Sequence, residues 1–289
     1  MRQPLTVIEG GRSADAPVGD ATGSVTWRVD LRRASAVDAA EVAAWRALLV
    51  RGGVADPVRA DPDYLLTAAE HGGGGPDLVF ALAWALGDGA ERLEAVVPLA
   101  LPHTLWGQGR IVVWHPAGNV IAPTIAAGRA MEVREALAER LHALRPGAEL
   151  VLDSIVAPGA PREVAPRLRA VPARGVIPAH SLVGVRPAHI PAPMAVERIS
   201  DPERIPGAVE DFLLLDAKIS AAPILADPAE AALVRMVTRR FARRHQVSVT
   251  LTRSAGAVIA AAVTLGSGAQ AVLWRKVDGV PARREERSA

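Results

Sequence analysis

A mixed α/β protein, built as two halves with a largely antiparallel sheet in each, is the fold class that the sequence predicts. Three observations carry it. Helix-period and strand-period segments follow one another twice along the chain, a proline-rich stretch separates the two series, and most strand signals come as neighbours joined by short glycine turns. With 289 residues, 50% of them hydrophobic, and a mean hydropathy of +0.19, the chain can bury one large core or two small ones.

Residues 1–24 are rich in Gly, Asp, Ala, Ser and Pro without periodicity and are expected to form a flexible tail. Val25–Leu31 alternates apolar and polar residues, as a half-buried strand does. Ser35 with Asp38 three residues on has capping-box spacing, ahead of a helix that buries Val42, Trp45 and Leu49 and ends at Gly52-Gly53. Asp61-Pro62 starts a second helix, closed by Gly72–Pro76. The apolar runs 77–86 and 92–101 flank Gly87-Asp88-Gly89 and predict a β-hairpin. Ile111–Trp114 is a short strand, and residues 128–145 place Val133, Leu137, Leu141 and Leu144 on one helical face. Leu150–Leu152 with Ile155-Val156 predicts a buried strand, which completes a first unit over residues 25–156 around one core.

Residues 157–194 read as a proline-rich linker with one short helix near 162–169. A second unit, 195–289, begins around Val196 and Ile199. Its first helix places Ile205, Val209, Phe212, Leu213 and Asp216 on one face. Asp227-Pro228 opens the next helix, with Leu233, Val234, Val237 and Phe241 inward and Arg235, Arg239 and Arg243 at i, i+4 spacing on its other side. The alternation in 247–252, a turn at Ser254–Gly256 and the segments 257–265 and up to Lys276 predict three strands.

Composition narrows the chemistry. Cysteine is absent, which excludes disulfides, thiolate metal sites and a cysteine nucleophile. Only Lys218 and Lys276 are lysine among 33 basic residues, and the net charge is +2, so the pI near 9.6 reflects few titrating groups rather than a nucleic-acid-binding surface. The seven histidines lack metal-site spacing, Gly72–Gly75 is followed by no Gly-Lys-Ser/Thr, and no Gly-x-Ser-x-Gly elbow occurs. No metal and no nucleic-acid partner is expected. The longest apolar run, Ala255–Leu265, is far shorter than the ~20 residues of a membrane span, and no signal peptide is visible, so a cytoplasmic protein without a transmembrane segment is expected. The arginine row on the second helix of the second half admits two readings. It is either a solvated face, or a cationic surface for the phosphates of a ligand such as coenzyme A.

Beyond composition, the order of segments carries a resemblance. Phe212–Ala217, the Asp227-Pro228 helix, the strands at 247–252 and 257–265, and Trp274-x-Lys276 resemble the second half of CelD/BcsL-type acyltransferases. These belong to the GNAT (Gcn5-related N-acetyltransferase) superfamily and are linked to cellulose and exopolysaccharide biosynthesis. Trp45-Arg46-x-Leu48-Leu49, Asp61-Pro62-x-Tyr64-Leu65, Pro98-Leu99 and Trp114-His115-Pro116 fit its first half. The resemblance spans most of residues 27–276.

It implies two GNAT-like lobes side by side, and transfer of an acyl group from acetyl-CoA or another acyl-CoA to an amine or hydroxyl by direct attack. A small-molecule or saccharide-linked acceptor and polysaccharide-synthesis proteins are the implied partners; oligomeric state is left open. By the resemblance, Asp216 is a base or acceptor-orienting group, Lys276 meets a phosphate or an acceptor carboxylate, and Asp278 is the third catalytic candidate. Trp274 lines a pocket, and Arg239 and Arg243 face the coenzyme. Relatives carry Gly-Trp-Lys-Gly where this chain has Lys218–Leu225, and they continue beyond Trp-x-Lys with a segment of which only Asp278 is present here. The expectation is therefore a second lobe that is incomplete at its C-terminal end. A non-catalytic relative serving as a binding or assembly protein is the alternative.

Overall fold

The computed structural model describes residues 25–52, 54–72, 77–87, 90–102, 109–116, 121–152, 155 and 194–279. The expected tails, the body of the linker with its short helix, and the tip of the first hairpin lie outside the described residues.

The first sheet contains β1 (Thr26–Arg32), β2 (Leu78–Gly87), β3 (Ala90–Ala100), β4 (Arg110–Val113), β5 (Thr124–Ile125) and β6 (Glu149–Val151), in the order β1-β2-β3-β4-β6 with β5 on β3. Every pairing is antiparallel except β4 with β6. That pair is parallel because the helix α3 (Ala130–Leu144) carries the chain back before β6 starts. The last strand is thus shorter than the sequence suggests: Ile155 is buried but lies outside it.

Helices α1 (Ala39–Gly52) and α2 (Pro62–His71) cover one face of this sheet. The cap of α1 falls three residues later than Ser35 and Asp38 imply. Residues 34–36 form a 3-10 turn, and Asp38 and Glu41 make the reciprocal box: Glu41 N donates to Asp38 Oδ1 at 2.8 Å and Asp38 N to Glu41 Oε2 at 3.0 Å. Arg32 of β1 also binds Glu41 at 2.8 Å, which ties the helix start to the sheet. Trp45, Leu48 and Leu49 are buried, whereas Val42 is only half-buried.

Sheet β2–β3 is covered on both sides. Phe80 and Leu82 meet α1 and α2, while Val79, Ala81 and Ala83 join Val133, Leu137 and Leu141 of α3 in a separate cluster. Burial on two faces explains why β2 reads as one continuous apolar run. Leu144, on the predicted stripe of α3, is exposed at the helix's last turn.

The second half repeats the order strand, helix, helix, hairpin, strand. β7 (Met194–Ile199) is followed by α4 (Ile205–Ile219), α5 (Pro228–Ala242), β8 (Val247–Ser254), β9 (Ala257–Leu265) and β10 (Val272–Asp278), in an antiparallel sheet of order β10-β9-β8-β7. The second helix of each half is capped alike: Asp61 accepts from Asp63 N, and Asp227 from Ala229 N and Glu230 N, each just before a proline. The β8–β9 turn places Ala255 at φ 49° and Gly256 at φ 81°, the two left-handed residues of a twist-matched hairpin.

The cores of the two halves are not separate. Trp45, Tyr64 and Phe80 belong to the same cluster as Phe212, Phe241 and Val249. Helix α2 lies against α5, and ion pairs cross the seam: Arg244 reaches Asp61 at 2.8 Å and Asp63 at 3.2 Å, and Arg240 reaches Glu70 at 3.3 Å. Behind β9, Gly266 (φ 86°) approaches the first half so closely that a Cβ would lie 2.7 Å from Val58 Cγ2. Only glycine fits there.

Candidate functional site

Asp216 sits on the buried face of α4 because it shares that face with Val209, Phe212 and Leu213. At this depth a carboxylate needs partners, and it has two. Ser220 Oγ donates to Asp216 Oδ1, and Ile224 N donates to Asp216 Oδ2 at 2.6 Å. Ser220 N also closes the helix on the Asp216 carbonyl at 2.8 Å. Both side-chain oxygens therefore hold the Lys218–Leu225 interval against the end of α4.

Strand β10 carries the next three candidates. Its register against β9 shifts between Leu273 and Arg275, so Trp274 is an extra residue outside the regular alternation. The Trp274 ring meets Tyr64 of α2 edge-on, with centroids 6.1 Å apart. Arg275 places its guanidinium 5.5 Å from the Trp274 ring and binds Glu230, in the first turn of α5, at 2.8 Å. Lys276 and Asp278, two residues apart on the same side of the strand, pair at 2.7 Å and are both more than half exposed. Among the described residues β10 is an edge strand, so one side of its backbone faces no ladder partner.

Tyr64 is the residue that sequence reasoning missed as part of this neighbourhood. It is the one tyrosine of the chain and is almost fully buried. Burial pushes its phenol above the ordinary value, against the opposing pull of a hydrogen bond from Trp274 and the charges of Arg59 and Arg275. Its position within the Asp-Pro helix was visible, but an inward aromatic looks the same in sequence whether it fills a core or joins two lobes.

The arginine row on α5 is divided by its surroundings. Arg235 binds Glu210 of α4 through two contacts of 2.6 and 2.8 Å, and this hydrogen bonding holds the Glu210 carboxyl below its usual range. Among the described residues, the side chains of Arg239 and Arg243 make no ion pair or hydrogen bond. Arg239 borders a groove of about 520 Å³ between α4 and α5. Its place in the last turn of α5 also suits the negative end of the helix dipole, a role that needs no ligand.

Trp274, Lys276 and Asp278 follow one another along β10, but Trp274 packs on Tyr64 and the shared core. Lys276 and Asp278 lie on the sheet face away from the helices, so Asp216 on the buried face of α4 is not brought to them. The structure does not bring Arg239 and Arg243 to them either. Along α5 these arginines lie roughly 13 and 20 Å beyond Glu230, where α5 touches β10, at about 1.5 Å per residue. A further groove of about 480 Å³ opens at the seam between the halves, beside Arg46, Asp63, Glu70 and Arg240. Among the described residues no cluster of His, Asp and Glu could hold a metal ion. None of the described helices is long and apolar enough to cross a membrane.

No family model matches the chain, and no curated protein matches it. Among solved structures, a tandem GNAT protein from the clavulanic acid biosynthesis pathway, in a form without AcCoA, is similar at a TM-score of 0.35 and 16% identity. The alignment covers 90% of this chain and 82% of that one. So distant a likeness assigns neither family nor activity.

Proposed function

We propose that this protein is an acyltransferase of the GNAT kind, of CelD/BcsL type, that moves an acyl group from acetyl-CoA or another acyl-CoA to an amine or hydroxyl. The observation that carries the reading is the repeated order of strand, helix, helix, hairpin and strand in the two halves. Two GNAT-like lobes side by side would have this organisation. In this reading the unpaired edge of β10 offers backbone groups to polarise the thioester carbonyl, the acceptor attacks that carbon directly, and the C–S bond breaks to release coenzyme A, whose thiolate takes up a proton from solvent. Asp278 takes the acceptor's proton once its pairing with Lys276 opens, and Lys276 then meets an acceptor carboxylate or phosphate. Trp274 walls the site. Asp216 positions the end of α4, since its oxygens are already engaged. Arg239 and Arg243, distant from β10, suit the phosphate end of an extended coenzyme. The acceptor is small or saccharide-linked, in keeping with a role in exopolysaccharide synthesis.

A second reading, a binding or assembly protein without turnover, draws on specific contacts. Asp216 has no free oxygen, and Lys276 and Asp278 neutralise each other.

Calorimetry and thermal shift with acetyl-CoA test the first reading. Binding is expected to release heat and to stabilise the fold by about 2.7 kcal/mol at a hundredfold excess over Kd. No heat and no shift at millimolar acetyl-CoA defeats it. Binding without transfer to any amine or hydroxyl acceptor leaves the second reading standing instead.

A further inference from the structure

We propose that the groove between α4 and α5 is a binding site for a small anion carried on an apolar body. The proposal stands on the groove itself, and acyl transfer by the chain is not needed for it.

At about 520 Å³ the groove lies within the range of roughly 300–1,000 Å³ typical of small-molecule sites. Pro206 and Gly207, exposed in the first turn of α4 above the buried Ile205 and Val209, give the groove its accessible apolar side. The polar groups in the lining are few, and most are already committed. Glu210 and Arg235 hold each other through two hydrogen bonds and cancel in charge. Thr238 turns its hydroxyl to its own helix and donates to the Val234 carbonyl at 2.8 Å. Pro206 has no N–H to offer.

Arg239 remains. It is the exposed lining cation that makes no ion pair or hydrogen bond among the described residues, so the groove carries one uncompensated positive charge facing the apolar side formed by Pro206 and Gly207. A free guanidinium presents a planar fork that matches a carboxylate or a phosphate with two parallel hydrogen bonds. The complement is one anionic group on an apolar or flat aromatic body. Two sources share that chemistry: a free carboxylic acid with an aliphatic tail, and the adenosine phosphate end of an acyl-CoA.

Octanoate and adenosine 3′-phosphate are the probes, titrated at low salt into the full chain and read by calorimetry and ligand-observed NMR. At least one of them is expected to bind, with 1-octanol and octylamine at least tenfold weaker. Arg239→Gln should weaken that binding tenfold or more. Arg198→Gln, which removes an exposed charge on β7 away from the groove, should leave it unchanged. Octanoate binding that acetyl-CoA does not displace identifies a free acid as the ligand. Adenosine 3′-phosphate binding that acetyl-CoA displaces identifies the coenzyme's end.

Failure of both anions at millimolar concentration overturns the proposal. So does octanol binding as well as octanoate, or affinity unchanged in Arg239→Gln. If acetyl-CoA does not bind but octanoate does, only the acyl-donor reading falls. If acetyl-CoA binds equally well to the Arg239→Gln protein and neither probe binds, only the groove assignment falls.

Discussion

The two halves share an element order but not a layering. The first sheet is buried on both faces, by α1 and α2 on one side and α3 on the other. The second sheet turns Val249, Leu251, Val263 and Val277 towards α4 and α5, while its other face bears Thr250, Thr252, Thr264, Lys276 and Asp278 together with the exposed apolar Met194, Val196 and Leu273. That face mixes polar side chains with exposed apolar ones, and no helix among the described residues covers it. A repeated topology therefore does not imply a repeated core.

Placing a charge on each outer face is the strongest way to break this comparison. Val97→Asp puts an unpaired carboxylate into the cluster beneath α3 and should cost at least about 4 kcal/mol. Thr250→Asp, on the open face between Arg198 and Ala262, should change stability by less than about 0.5 kcal/mol. Urea unfolding of both variants reads the contrast directly. Equal losses would mean that the second sheet is covered as the first is.

The seam between the halves gives a smaller effect. Arg244→Met leaves the buried Asp61 with Arg46 at 3.7 Å, and should lower stability by about 1–2 kcal/mol. Arg240→Met, whose pair with Glu70 is a third exposed, should cost no more than about 0.5–1 kcal/mol. Denaturant midpoints for the two variants rank them, and a larger loss at Arg240 would contradict the assignment of Asp61 as the buried anchor.

The smallest effect is a titration. Because burial raises the Tyr64 pKa, the unfolded chain ionises first as pH rises. The stabilisation is complete below the unfolded value near 10, and it is lost as pH climbs through the folded value. With one tyrosine in the chain, tyrosinate absorbance reports this residue alone. The native midpoint should lie above that of the urea-unfolded protein, and Trp274→Phe should raise it further by removing a hydrogen bond that lowers it. A native midpoint equal to the unfolded one would mean that Tyr64 is not buried in solution, and a midpoint unmoved in Trp274→Phe would mean that the Tyr64–Trp274 hydrogen bond is not formed.

Local signals located nearly every described element. The caps Asp61-Pro62 and Asp227-Pro228, the alternation at Val247–Thr252 and the paired runs around residues 87–90 depend on neighbours a few residues apart, and such rules are written into the chain. The cap of α1 was misplaced by three residues because Ser35 and Asp38 satisfy the same spacing rule as Asp38 and Glu41. The ion pair from Arg32 to Glu41 joins the second choice to the sheet. Of the candidate site, sequence order located Trp274, Lys276 and Asp278 near one another. That Asp216 is consumed by Ser220 and Ile224 depends on how the 218–225 interval folds, which no spacing rule reports.

The sequence by itself therefore determined the class of the fold and the order of its elements, since periodicity and caps are local properties. Only the tertiary structure decided that the two halves share a core through α2 and α5. It also decided which of Arg235, Arg239 and Arg243 keeps a free charge. Both depend on partners that lie far apart in the chain: Arg244 meets Asp61, and Glu210 meets Arg235, only after the helices have docked.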